Sequence, residues 1–162
     1  MQKIEQIKNK WDRYFFKNTL LAAEMSTCLR RSVGAILVKD KRIIATGFNG
    51  QVSGTEHCKT CYRLENNIPS GQMSEKCFAV HAEQNVLTQC ALQGISSKDT
   101  KLYCTHKPCF TCLKMLLNAG ITSILFLEDY PDTLSEGLFA KTGNIYEIKN
   151  QENILYKIYI KK

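Results

Sequence analysis

Residues 100–127 read TKLYCTHKPCFTCLKMLLNAGITSILFL. Thr100–Thr105 and Ile121–Leu127 are short β-rich runs, and Cys109–Asn118 between them has helical character and closes at Gly120. The stretch therefore predicts strand–helix–strand. Upstream, Val80–Gln93 has helical periodicity and stops at Gly94. Earlier still, Ser32–Val38 and Arg42–Gly47 flank Lys39-Asp40-Lys41, which predicts a hairpin. A first helix is expected over Glu5–Cys28, where Trp11, Tyr14, Phe15, Leu20, Leu21, Ala22 and Met25 recur at three- and four-residue steps. Downstream, Asp132–Lys141 reads as a short helix and Asn144–Ile148 as a strand, and Ile154–Ile160 alternates as a final strand or extended tail. This order implies an α/β protein with a mixed sheet and helices on both faces. Only residues 48–76, rich in Gly, Ser, Asn and Cys, lack a clear period; a segment that long is usually functional or held together by something.

The 162 residues fit one domain with a hydrophobic core of its own. No apolar run is long enough to span a bilayer, so no membrane partner is expected. The opening Met1–Lys8 lacks the apolar centre of a signal peptide, and the expectation is a cytoplasmic protein. In a reducing compartment the eight cysteines point to metal binding more than to disulfides. A formal charge of +7 suits a phosphate-bearing partner without separating a nucleotide from a polynucleotide.

Two motifs carry chemistry. His81-Ala82-Glu83 lies at the start of one predicted helix and Pro108-Cys109-Phe110-Thr111-Cys112 at the start of another. One imidazole and two thiols make three zinc donors, and three-donor zinc sites keep a fourth position for water. A helix N-terminus favours thiolate over thiol, and Cys-x-x-Cys on one turn lets both sulfurs reach one metal. Glu83 is close without being a ligand, which suits a group that moves protons and needs a pKa near the working pH. A zinc ribbon with Cys58-x-x-Cys61 would explain the paired thiols, but neither His81-x-Glu83 nor Pro108.

H-x-E followed by P-C-x-x-C is the signature of zinc-dependent base deaminases, and here the chain resembles the cytidine deaminase superfamily. Further stretches are similar to the deoxycytidylate (dCMP) deaminase family: Ser32-Val33-Gly34-Ala35, Thr46-Gly47-Phe48-Asn49-Gly50, the long segment before His81, and Leu127-Glu128-Asp129-Tyr130. One departure is Val86-Leu87, where the family usually has Ala-Ile after the asparagine. The resemblance implies a three-layer α/β/α cytidine-deaminase-like fold with a mixed five-stranded sheet. Residues 1–162 would form one deaminase domain, with a cysteine-containing insert at about 48–77 and an unassigned tail at about 149–162.

The activity so implied is hydrolysis of dCMP to dUMP and ammonia, feeding dTMP synthesis. Catalytic Zn2+ would sit on His81, Cys109 and Cys112, with Glu83 as the proton carrier. A second, structural zinc would use Cys28, Cys58, Cys61 and Cys77, with His57 as the rival to one thiol and four separate buried thiols as the plain alternative. Asn49 would bond the sugar 3′-hydroxyl, and Arg30 or Arg31, with His106 or Tyr130, would meet the phosphate. The family also implies a homo-oligomer, hexamer or dimer, with dCTP and dTTP as effectors. Two other functions stay open from the residues: a nucleic-acid base deaminase of the tRNA-adenosine type, which the insert and Phe48-Asn49-Gly50 argue against, and a non-catalytic zinc-stabilised interaction module.

Overall fold

A computed structural model describes residues 2–5, 7–132, 134, 135, 137, 138, 145–149 and 155–160. The first predicted helix is two helices. α1 (Gln2–Glu5) precedes α2 (Lys10–Glu24), and the break falls at Asn9, whose Oδ1 accepts from the backbone N–H of Trp11 at 2.9 Å and of Asp12 at 3.2 Å. That side chain does what an N-cap does, so the helix restarts there. Cys28 consequently lies beyond α2, in the loop that leads to the sheet.

β1 (Gly34–Lys39) and β2 (Arg42–Phe48) form the expected hairpin, with Lys39 opposite Arg42. Asp40 and Lys41 both adopt positive φ, the geometry of a two-residue turn matched to strand twist. β5 (Lys101–His106), α5 (Phe110–Asn118) and β6 (Ser123–Glu128) form the strand–helix–strand unit, with β5 and β6 parallel. α4 (Ala82–Gln93) ends at Gly94, which has φ 64°, and the Ile95 N–H returns to the Cys90 carbonyl at 2.9 Å.

The sheet order is β2-β1-β5-β6-β8-β7. β7 is Ile145–Lys149 and β8 is Leu155–Ile160, so the sheet has six strands among the described residues where five were expected. The alternating tail supplies the extra one. It returns antiparallel between β6 and β7, placing Ser123 opposite Ile160. Of the expected helix over 132–141, residues 134, 135, 137 and 138 are helical, Asp132 precedes them outside the helix, and 133, 136 and 139–141 fall outside the described residues.

Alternation along the central strands sends side chains to two cores. Ala35, Leu37, Leu102, Cys104, Ile124 and Phe126 face Val86, Cys90, Leu113 and Leu116 of α4 and α5. Ile36, Val38, Tyr103 and Leu125 face Phe15 and Phe16 of α2. The three layers follow from this period-two split. Two glycines set how closely helix and sheet approach. A Cβ on Gly34 would stand 2.2 Å from the Thr19 carbonyl oxygen, and one on Gly47 would stand 2.5 Å from that of Ala82. Backbone packs on backbone at both places, and at Gly47 the contact fixes the first turn of α4.

The segment without a visible period is structured. β3 (Gly50–Gln51) pairs antiparallel with β4 (Ala79–Val80) as a separate two-stranded ladder, with Gly50 opposite Val80. Between them lie α3 (Tyr62–Glu65) and a single 3-10 turn, Ser74–Lys76. The insert is a loop closed at its base by two rungs, and β4 runs directly into His81.

Candidate metal centre and its cleft

His81 is the N-cap of α4 and Cys109 the N-cap of α5. At α4 a capping box links His81 and Gln84, and Cys109 makes no side-chain capping bond to α5. Gln84 Oε1 accepts from the His81 backbone N–H at 2.9 Å, and Asp132 Oδ2 accepts from the Phe110 N–H at 2.5 Å. The ring and the thiol face one another. His81 Nδ1 lies 3.5 Å from Cys109 Sγ and 3.4 Å from Cys112 Sγ, and all three donor atoms fall within 4.8 Å of each other.

Tetrahedral zinc with ordinary Zn–S and Zn–N bond lengths holds its sulfur and nitrogen ligands about 3.6 Å apart. The observed spacing matches that value, so the donor set fits zinc. The cluster's protonation points the same way. The Cys109 thiol is pulled down to about 4, first by its hydrogen bond with Cys112, against burial and with help from His81. Its partner Cys112 is pushed up by that same bond and by burial. His81 is raised first by Cys109, while burial and the nearby Arg63 charge oppose it. A thiolate held by shared protons is a site that a divalent cation can take over by displacing them.

Glu83 sits in the first turn of α4, 5% exposed. Burial raises its carboxyl to about 7, against the pull of His81. A carboxyl at that value both takes and gives protons near neutrality.

The cleft above this cluster includes every expected substrate contact: Asn49, Arg30, Arg31, His106 and Tyr130. Asn49, however, is mostly committed to the protein. Its Oδ1 accepts from Ser26 Oγ at 2.7 Å and from the Val33 N–H at 2.8 Å, and its Nδ2 donates to the Arg31 carbonyl at 2.8 Å. Both oxygen lone pairs are used and one N–H remains for a ligand. Asn49→Ala is accordingly expected to cost about 2–4 kcal/mol in stability. Melting of the zinc-loaded variant measures this, and a wild-type melting temperature would show the clamp to be dispensable.

Arg30 Nη2 donates to the Ile68 carbonyl at 2.5 Å and Arg31 Nη2 to Ser70 Oγ at 3.1 Å, so both arginines hold the insert. Arg31 also stands over the Tyr130 ring, 5.7 Å from its centre. His106 Nε2 is 3.2 Å from Glu128 Oε2, and burial lowers its pKa.

Cys28, Cys61 and Cys77 line the same cleft, whereas Cys58 Sγ accepts from Gln51 Nε2 at 2.6 Å and His57 is exposed. Among the described residues, only His81, Cys109 and Cys112 are close enough to form a metal-ligand group. Three of the four thiols expected for a second zinc thus face one cleft, and the fourth, Cys58, is bonded to Gln51. The ribbon alternative is not formed, since it is His81 and not Cys58 that joins Cys109 and Cys112.

Sequence reasoning passed over Arg63 and Lys107. Both line the cleft, at 8% and 3% exposure, and Lys107 Nζ pairs with Asp129 Oδ1 at 2.7 Å. The only signal was position, one following a cleft cysteine by two residues and the other preceding Pro108.

Residues 9–128 match the family model of the cytidine and deoxycytidylate deaminase zinc-binding region. ComE operon protein 2 of Bacillus subtilis (strain 168) is 33% identical over 159 residues, covering 90% of this chain and 80% of its own. The deoxycytidylate deaminase of Mycobacterium phage D29 is 36% identical over 124 residues, covering 74% of this chain and 95% of its own. Among solved structures, dCMP deaminase from the cyanophage S-TIM5 in complex with dCMP and dUMP is similar at TM-score 0.70 and 32% identity. That match covers 83% of this chain and 93% of the phage chain.

Proposed function

From the premise that this chain belongs to the cytidine and deoxycytidylate deaminase family, we propose that it hydrolyses dCMP to dUMP and ammonia. The observation that carries the reading is the tetrahedral spacing of His81 Nδ1 and the two sulfurs beside a buried carboxyl. Support for this substrate over another cytosine carrier comes from the relatives named deoxycytidylate deaminase and from the phage enzyme held with dCMP and dUMP.

His81, Cys109 and Cys112 would hold zinc, which when bound acts as a Lewis acid and lowers the pKa of water at its open position. Glu83 then does the proton work. It takes a proton from the water that adds to C4 of the cytosine ring and delivers it to N3. After the carbon has become tetrahedral, Glu83 takes the remaining proton from the new C4 hydroxyl and passes it to the exocyclic amine, so that the C4=O bond forms as the C4–N bond breaks and ammonia leaves. Its burial suits both directions, because a carboxyl near 7 is neither too weak a base nor too weak an acid at neutral pH. The basic cleft orients the nucleotide so that the base meets Glu83.

The same proposal includes a cytoplasmic homo-oligomer, hexamer or dimer, that responds to dCTP and dTTP. It also includes a structural zinc on Cys28, Cys58, Cys61 and Cys77, supported by three of these thiols facing one cleft. Forming that site requires Cys58 to leave Gln51.

Ammonia release from zinc-loaded protein given dCMP, CMP, dCTP, deoxycytidine and a tRNA anticodon hairpin tests the reading. Turnover is expected with dCMP foremost. Turnover of the RNA alone would transfer the assignment to a nucleic-acid deaminase, and no turnover of any substrate would leave an interaction module.

A further inference from the structure

Arg63 is the most deeply buried guanidinium of the cleft. It sits on α3 within the insert, 8% exposed, and its Nε is buried without a hydrogen-bond partner. Arg30 presents a second such atom, Nη1, to the same cleft. Among the described residues, no carboxylate lies within ion-pair distance of Arg30, Arg31 or Arg63. Three guanidinium groups thus line one cleft without an ion-pair partner among the described residues. A guanidinium removed from water is costly unless an anion meets it, and a planar fork matches phosphate oxygens in bidentate fashion.

We propose that Arg63 is a phosphate-gripping residue, contributed by the insert, which makes the cleft specific for a nucleoside monophosphate over the free nucleoside. The inference rests on the functional reading above and extends it to Arg63. A dianion answers the charge of the three arginines better than any edge of a base or sugar does. The geometry also assigns the insert a purpose. Arg30 and Arg31 bind its Ile68 carbonyl and Ser70 hydroxyl, and this pinning lays α3, with Arg63, against the cleft. Core and insert then hold one phosphate from two sides.

The test compares wild type, Arg63→Gln and Arg63→Lys, all zinc-loaded. Calorimetric affinity for dUMP and deoxyuridine is measured together with kcat and KM for dCMP, zinc content and melting temperature. Arg63→Gln is expected to weaken dUMP about ten- to hundredfold and to raise KM for dCMP comparably, while affinity for deoxyuridine holds. Equal losses for dUMP and deoxyuridine, or no loss for dUMP, overturn the proposal. If Arg63→Gln loses zinc or melts early, Arg63→Lys decides, since it keeps the charge but not the fork. A fall confined to dUMP supports the grip, and an unchanged ratio of the two affinities refutes it. Wild-type protein that turns over no dCMP defeats the functional reading itself. Wild-type turnover with an unaffected Arg63→Gln defeats only this inference.

Discussion

Glu83→Gln is expected to abolish turnover while zinc content and fold persist. Glutamine matches glutamate in shape and still forms hydrogen bonds, but it cannot carry one proton from water to N3 and a second from the C4 hydroxyl to the amine. General acid–base work is worth about 10²–10⁴-fold in rate, and here one group serves two transfers, so kcat is expected to fall by at least the upper part of that range. Stability should hold or rise, because the variant removes an ionisable group that burial disfavours in its charged form. Measuring kcat, bound zinc and melting temperature on one preparation decides. Retained turnover would remove Glu83 from the chemistry, and lost zinc would make it a ligand instead of a proton carrier.

Cys112→Ser has a comparable effect through a different route. Cys112 is 1% exposed and its sulfur lies 3.4 Å from the imidazole, which makes it one of the three donors on which the site depends. Serine offers zinc a much poorer donor than thiolate. The catalytic zinc is expected to be lost after dialysis and activity with it, and chelation of wild type should give the same loss, reversed by added zinc. Turnover surviving metal removal would sink the zinc mechanism. Cys58→Ser in the same assay reads the other cysteine set. An unchanged zinc count with full activity would confine the protein to one metal.

The features legible in the sequence are those that local pattern dictates. Residues 100–127 showed their strand–helix–strand order because both strands and the helix pack on the central sheet, and burial leaves a period. Gly94 and Gly120 marked helix ends because each adopts the left-handed backbone there. The metal donors were readable because zinc needs particular elements at particular spacings. What escaped was set by contacts distant in sequence. Asn49 reads as half of an Asn-Gly turn, yet its amide joins Ser26, Arg31 and Val33, segments 23, 18 and 16 residues away. Arg63 looks like a solvated charge in a polar loop, and only the folded insert buries it. The sixth strand was visible as alternation, but its place between β6 and β7 depends on pairing that no local pattern encodes.

The two-rung ladder of β3 and β4 has an evolutionary consequence. The chain departs from the sheet and re-enters at almost the same point, with Gly50 facing Val80 and His81 next in line. Everything between those rungs can be lengthened, shortened or exchanged without displacing the imidazole. If Arg63 grips the phosphate, part of the substrate preference is carried by a detachable cassette while the catalytic centre stays in the scaffold.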